Sequence, residues 1–131
     1  GGVSSKQAGI IPLNVSTTGA TPTVMNLKDT LSYRPVIPST RAWCFRILCV
    51  AQSSTYKTSA WSIEGVISRN NANATRIVGT PTITLIAQDA EMAGCAVVVT
   101  ADDTNEALAV TATGLAATTI SWTASVFYSQ A

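Results

Sequence analysis

The feature that most constrains the fold of this 131-residue chain is an alternation of apolar and polar side chains with a period of two residues. It is clearest in residues 59–68, where one face is apolar and the other is polar. The apolar face carries Trp61, Ile63, Gly65 and Ile67, and the opposite face carries Ser62, Glu64 and Ser68. Successive side chains of a β-strand point to opposite faces, so this segment is predicted to be a strand with one solvated side.

Similar runs recur along the chain and predict six or seven strands between residues 41 and 128. The runs span 41–52, 59–68, 76–78, 82–87, 95–101, 106–113 and 118–128. A break is expected at Gly79-Thr80-Pro81, and because proline has no N–H for a strand ladder it marks either the start of a strand or an edge strand. No convincing amphipathic helix is present, and short strands at this spacing are typical of an all-β, antiparallel sandwich or barrel.

The first 40 residues differ in composition, being rich in Gly, Ser, Thr and Pro. They predict short strands around Ile10–Val15 and Thr23–Leu27, within a lead-in segment of residues 1–40. This segment is expected to pack on a sandwich of residues 41–131 or on a neighbouring chain. Gly1-Gly2 is interpreted as a cloning scar or the cut end of a longer protein. No basic stretch is followed by an apolar one in this segment, so no secretory signal is predicted.

Charged residues are scarce, with 8 Lys and Arg and 7 Asp and Glu, which is 11% of the chain. Soluble domains usually carry about 25%. No basic face is available for a nucleic acid, and no apolar run approaches the length of a membrane-spanning helix. Ser, Thr and Ala fill the gap, and such a bland surface suits burial between identical subunits, where charges are depleted.

The absence of histidine excludes Ser-His-Asp and Cys-His catalysis within this chain. The three cysteines, Cys44, Cys49 and Cys95, are interpreted as small buried hydrophobes and not as a zinc site. Cys44 and Cys49 lie on opposite faces of one strand and cannot pair, whereas a bridge from either to Cys95 stays compatible with the sequence. No cofactor is predicted.

One acidic cluster is present: Asp102, Asp103, Asn105 and Glu106. Oxygen-rich loops can bind Ca²⁺, and glycoside hydrolysis needs two carboxyl groups a sugar's width apart. The spacing fits neither requirement well, and a tight turn accounts for these residues equally well. The four residues are therefore weak metal candidates only, and no metal is predicted.

Aromatic and amide side chains supply the candidate ligand contacts. Trp43, Trp61 and Trp122 fall on apolar strand faces and are expected in the core. Tyr33 and Tyr56 lie in loop contexts, and a polar hairpin tip follows the strand of residues 59–68. Because loops on a rigid scaffold commonly carry binding residues, the predicted ligand-binding residues are Tyr33, Tyr56, Arg69, Asn70, Asn71 and Asn73.

Five segments in order carry a resemblance to a known family. They are residues 17–23 (TTGATPT), 60–69 (AWSIEGVISR), 77–81 (IVGTP), 97–115 (VVVTADDTNEALAVTATGL) and 119–126 (TISWTASV). Together they resemble the C-terminal β-domain of bacteriophage tail fibres and tailspikes, over roughly residues 15–128.

The resemblance implies a jelly-roll-like sandwich that forms a homotrimer in the virion tail, assembled in the cytoplasm of the bacterial host. It implies binding to capsule or lipopolysaccharide, with any depolymerase in an upstream domain, so this chain is not expected to be an enzyme. Two alternatives stay open: a purely structural virion protein, such as a head fibre or decoration domain, and a small glycan-degrading enzyme.

Overall fold

The protein is described by a computed structural model over residues 7–27 and 34–131. Nine strands form two antiparallel sheets that pack face to face, so the predicted all-β sandwich is confirmed. The strands are β1 (Ala8–Thr17), β2 (Thr23–Val24), β3 (Asn26–Leu27), β4 (Ala42–Ser53), β5 (Thr58–Arg69), β6 (Thr75–Gln88), β7 (Ala96–Asp102), β8 (Ala107–Thr113) and β9 (Ile120–Gln130). Within the described residues, helix is confined to one 3₁₀ turn at Ala90–Met92.

The sheets differ in size. The larger sheet has the order β3-β1-β9-β4-β5-β6, and the smaller has the order β2-β8-β7. The core lies between them and is filled by every second residue of the long strands, as the alternation predicts. In β4, Trp43, Phe45 and Ile47 are buried, and the residues between them face outward. Trp61 and Trp122 are buried as well, so the predicted core position of all three tryptophans is confirmed.

The strands predicted near Ile10–Val15 and Thr23–Leu27 are present, and β1 is an integral strand of the larger sheet. It pairs with β9 over ten residues, from Ala8 opposite Ser129 to Thr17 opposite Ile120. The division of the chain at residue 40 stays a prediction.

A two-stranded ribbon links the sheets. One half pairs β1 with β9 in the larger sheet, and the other half pairs β2 with β8 in the smaller sheet. A ribbon that rolls over a corner from one sheet to the other is the feature this fold shares with jelly rolls.

No new strand starts at Gly79-Thr80-Pro81, because β6 runs through it from Thr75 to Gln88, but the edge-strand alternative agrees with the position of β6 at the edge of the larger sheet. The register against β5 shifts between Glu64 and Val66, and Gly79 adopts a positive φ of 71°. The three residues therefore form an irregularity within one strand. Pro81 lies between the pairs Glu64–Thr82 and Val66–Val78, in an interval without registered partners, so its missing N–H interrupts no ladder pair.

All three cysteines are free thiols. Cys49 and Cys95 are buried, as expected, but Cys44 is exposed, and the expectation of three buried cysteines is corrected in this respect. Cys44 lies on the outer face of the larger sheet, which no other described element covers.

The loops gather at the two ends of the sandwich. At one end, called the Tyr56 end, lie the loops of residues 18–22, 54–57, 89–95 and 114–119. At the other, called the Asn70 end, lie the segments 34–41, 70–74 and 103–106. Residue 7 is at the Asn70 end too, where the carbonyl of Gln7 accepts a hydrogen bond of 2.7 Å from the Gln130 amide.

Candidate functional site

A shallow groove of about 350 Å³ opens at the Tyr56 end of the sandwich. Its lining residues come from the end of β4, the β4–β5 hairpin and the start of β9. They are Gln52, Ser53, Ser54, Tyr56, Thr119 and Ser121. The volume falls at the lower end of the range of small-molecule sites. We call this feature the Tyr56 groove.

The β4–β5 hairpin is held in shape by Ser53. Its backbone amide donates to the Lys57 carbonyl at 2.8 Å, and its carbonyl accepts from the Tyr56 amide at 2.8 Å. The Ser53 hydroxyl accepts from the Thr55 and Lys57 amides at 3.3 and 3.1 Å. Serine hydroxyls stabilise turns through such local bonds, so the hairpin is a preformed platform for the groove.

Tyr56 stands at the outermost point of this hairpin. Its side chain is 77% exposed, and its backbone has a φ of 65°, in the left-handed region that non-glycine residues rarely occupy. The other described tyrosine, Tyr128, is less exposed: its ring is half-buried and stacks on Trp43 with centroids 4.1 Å apart. The expectation that Tyr56 is exposed is confirmed.

The far wall of the groove comes from the β8–β9 loop. The Ser54 amide donates to the Thr119 carbonyl at 3.0 Å and fastens this loop to the hairpin. Gln52 and Ser121 pair across β4 and β9, which brings an amide and a hydroxyl side by side on the outer face of the sheet. The two walls are thus fixed to each other by the backbone of the sheet.

The chemistry of the groove is neutral. Its lining offers hydroxyl groups, one amide and one exposed phenol ring, and none of the six residues is acidic or basic. Hydroxyls and amides both donate and accept hydrogen bonds, which matches the hydroxyl groups of a sugar. An exposed aromatic ring offers an apolar face against which a sugar ring can lie. Without a carboxyl group, the lining holds no pair of acids for glycoside hydrolysis.

The predicted residues of the β5–β6 hairpin lie at the Asn70 end and do not join Tyr56. The intervening strand β5 is 12 residues long, so the separation is on the order of 35 Å at strand rise. The Arg69 guanidinium donates to the Ile37 carbonyl at 2.7 Å and to Asn73 Oδ1 at 2.8 Å. The ligand-binding role of Arg69, Asn70, Asn71 and Asn73 stays a prediction. Tyr33 lies outside the described residues.

Asn70 and Asn71 differ in their engagement. The Asn70 side chain accepts hydrogen bonds from the Ala72 and Ala74 amides at 2.8 and 3.0 Å, which shapes the hairpin tip. Asn71 is exposed at the same tip. Of the three asparagines of this hairpin, Asn70 shapes the turn, Asn73 accepts from Arg69, and Asn71 faces solvent.

The carboxylate of Asp102 organises the β7–β8 turn. Asp102 Oδ1 accepts from the Thr104 and Asn105 amides, and Oδ2 accepts from Asn105 Nδ2 at 2.7 Å. Arg34 lies 3.4 Å from Oδ2. The hydrogen bond from the Asn105 side chain is the main cause that lowers the pKa of Asp102, and the turn's amides and Arg34 act in the same direction.

The neighbouring acidic residues connect this turn to β6. Asp103 Oδ1 accepts from the Thr75 amide at 2.7 Å, and Glu106 Oε1 accepts from the Thr75 hydroxyl at 2.8 Å. Among residues 7–27 and 34–131, no three His, Cys, Asp or Glu side chains come close enough to hold a metal ion. The acidic cluster thus acts as a set of hydrogen-bond acceptors that ties two loops together.

Sequence reasoning found Tyr56 but missed the other groove residues, which are Gln52, Ser53, Ser54, Thr119 and Ser121. Their signal in the sequence is weak, because serine and threonine are abundant along the whole chain. The decisive fact is that β9 lies beside β4, and the strand order of a sheet is not encoded in the alternation.

Comparison with known proteins adds no relative, since no family model and no curated protein matches the chain. In the part of the chain that the structure describes, no helix has the length and apolarity to cross a bilayer.

Proposed function

We propose that this chain is a non-enzymatic receptor-binding module of a bacteriophage tail fibre or tailspike. In this proposal the chain forms a homotrimer in the virion tail and binds capsule or lipopolysaccharide of the bacterial host through the Tyr56 groove. No nucleic acid, membrane insertion or cofactor takes part. The proposal grows from the five sequence segments that resemble tail-fibre domains and from the groove geometry.

One observation carries the binding part of the proposal: an exposed tyrosine on a rigid hairpin beside a neutral groove of hydroxyls and an amide. Neutral polar groups match an uncharged or weakly charged sugar chain without the desolvation cost of buried ions. A shallow, open groove suits a polymer, which extends beyond the site at both ends.

The placement of the groove is consistent with this role. Residue 7 and the first residues of β1 lie at the Asn70 end, opposite the Tyr56 groove. A shaft joined ahead of residue 7 would leave the groove facing away from the shaft. A receptor site belongs in that position on a fibre.

The test is binding of the chain to surface polysaccharide purified from susceptible and from non-susceptible bacteria. We expect binding to the first only, and we expect Tyr56→Ala to weaken it at least about tenfold, the size of one lost aromatic contact. Asn71→Ala is the matched control, since Asn71 is exposed at a loop tip of the opposite end. Loss of binding in the Asn71 variant alone would move the site to the Asn70 end.

The alternatives give different results. A structural head fibre or decoration domain would assemble but bind none of the polysaccharides. A glycan-degrading enzyme would release reducing ends from the polysaccharide during incubation. Either result would overturn the receptor-binding proposal.

A further inference from the structure

The outer face of the larger sheet is an exposed apolar surface without a described neighbour. It consists of the outward side chains of β1, β9, β4, β5 and β6. Its large apolar members, each between 37% and 65% exposed, are Ile10, Leu48, Val50, Val78, Ile86 and Phe127. Hydroxyl residues and the Arg46–Glu64 pair lie between some of them, and the continuous apolar patch is the one around Leu48, Val50 and Ile86. Exposed apolar patches mark interaction sites.

The centre of this face is continuous. Leu48 and Val50 project from β4, Ala60 from β5 and Ile86 from β6, and together they line a shallow depression. Thr123 and Ser125 of β9 border it. The depression contains apolar groups and two hydroxyls, so its burial requires little desolvation of polar atoms.

Charge is almost absent from the face. On these five strands, all of which are described, the outward positions carry three charged side chains: Arg46, Glu64 and Arg76. Arg46 and Glu64 satisfy each other through hydrogen bonds of 2.7 and 2.9 Å to one carboxylate oxygen. Arg76 lies at the margin, near the start of β6. The Arg46–Glu64 pair lies on the inner strands β4 and β5 and is more than half exposed. A face with few charged side chains, two of them paired with each other, has the composition of a protein–protein interface.

The free edge of the larger sheet, formed by β6, is a second feature that favours association. β6 is 14 residues long and has no further strand beside it among the described residues. Ile83 and Leu85 pair with Ile63 and Trp61, whose side chains face the core, yet they are 43% and 49% exposed. A long apolar edge with one charge is a site of association unless something covers it.

The area of the face fits a protein partner of the same size. Five strands about 4.8 Å apart and ten residues long give roughly 24 by 33 Å, or about 800 Å². A standard stable interface buries about 800 Å² on each partner. The three charges on the face sum to +1, and two of them pair with each other, so the face needs no strongly charged partner.

We infer that the outer face of the larger sheet from the Asn70 end as far as Val50, with the adjoining edge of β6, is the surface through which copies of this chain pack together. Gln52 and Ser121, at the Tyr56 end of the same face, lie outside this contact and leave the groove open. The inference deepens the proposed function and rests on it only for the expectation that copies assemble. In a closed trimer each contact is heterologous, so the face meets a different surface of the next copy.

The experiment compares two substitutions of matched exposure on opposite faces. Val50 is 44% exposed on the face in question, and Val98 is 45% exposed on the outer face of the smaller sheet. We expect Val50→Glu to raise the dissociation constant of the assembly by about 100-fold or more, because the interface would bury an unpaired charge. Val98→Glu is expected to assemble like the unsubstituted chain, because we place the outer face of the smaller sheet outside both sides of the contact. Sedimentation across concentrations measures both, and circular dichroism confirms folding.

Cys44 gives a second readout that needs no substitution. It is exposed on the same face, whereas Cys49 and Cys95 are buried. Alkylation of Cys44 is expected to slow at least about tenfold in the assembly relative to the diluted, dissociated chain, since access controls thiol reactivity. This readout decides the matter even if Val50→Glu fails to fold.

The outcomes separate this inference from the proposed function. Assembly that survives Val50→Glu, with Cys44 alkylated equally fast in both states, overturns the choice of face and leaves the proposed function intact. A chain that stays monomeric at about 100 µM, far above the Kd of a stable complex, overturns both this inference and the trimer, while polysaccharide binding is decided separately by the Tyr56 variant.

Discussion

The indole Nε1 of Trp122 donates a hydrogen bond of 2.9 Å to the hydroxyl of Thr17, and both residues are buried. The bond joins β9 to the end of β1 at the corner where the ribbon leaves the larger sheet. Trp122 also stacks on Trp61, with ring centroids 5.5 Å apart. The stacking and the hydrogen bond together fix the orientation of the indole ring. The hydrogen bond is supplied by the Thr17 hydroxyl.

Thr17→Val is expected to destabilise the fold by about 1–3 kcal/mol, because the buried indole N–H loses its partner while the side-chain volume is kept. Thr17→Ser retains the hydroxyl and serves as the control. Urea unfolding followed by circular dichroism gives the free energies. A Thr17→Val variant as stable as the unsubstituted chain would show that the hydrogen bond is unimportant.

The Asp102 carboxylate makes the stability of the Asn70 end depend on pH. The pKa of this carboxyl is lowered in the folded chain, chiefly by the Asn105 side chain, from an ordinary value of 3.8. A lowered folded pKa gives stability that is present above the unfolded pKa and is lost as the pH falls through the folded pKa.

The unsubstituted chain is therefore expected to exceed Asp102→Asn in melting temperature at neutral pH, with a gap that narrows below about pH 3.8. Melting curves between pH 7 and pH 2.5 measure the difference. A gap that is constant over this range would mean that the carboxylate charge contributes nothing.

Tyr56 carries backbone strain that a glycine would relieve. A non-glycine residue in the left-handed region costs about 1–2 kcal/mol of folding free energy. Glycine avoids this cost, but its greater conformational entropy in the unfolded chain offsets about 0.5–1 kcal/mol of the gain. Tyr56→Gly is therefore expected to be up to about 1 kcal/mol more stable than Tyr56→Ala, which keeps the positive φ. Equal stability of the two variants in urea would mean that residue 56 is not left-handed in solution.

The buried thiols are expected to be inert. Burial raises the pKa of Cys49 to about 12 and raises that of Cys95 as well, so neither forms appreciable thiolate at pH 8. A Cys44→Ser variant should therefore consume no thiol reagent within minutes while folded and two equivalents once denatured. Rapid reaction of the folded variant would show that the sandwich opens around one of these positions.

The alternation of side chains was sufficient to predict the long strands. Residues 41–52 and 59–68 match β4 and β5 closely, since each has one face in a dry core. The same rule divided β6 in two at Gly79-Thr80-Pro81, where proline correctly indicated an edge strand, because such a strand tolerates a proline and a register shift that an inner strand would not. Exposure of Cys44 was also unpredictable, since the pattern does not say which faces a second layer covers.

The candidate site was predicted only in part. Tyr56 was recognisable as an aromatic residue in a polar hairpin, but the far wall of the groove, Thr119 and Ser121, comes from residues more than 60 positions along the chain. Arg69, Asn70, Asn71 and Asn73 share loop chemistry with Tyr56, yet β5 separates them by its full length. Residue type indicates where contact with a ligand is possible, and strand order decides which residues act together.

The pairing of β1 with β9 governs when this protein can finish folding. Ala8 meets Ser129 and Thr17 meets Ile120, so the partners are more than 100 positions apart along the chain. At about 5–20 residues per second, a ribosome takes several seconds to synthesise β9 after β1 has emerged. Hairpins such as β4–β5 can form during that time, but the apolar side of β1 waits for the last strand, and a chain cut short before residue 120 never closes its larger sheet.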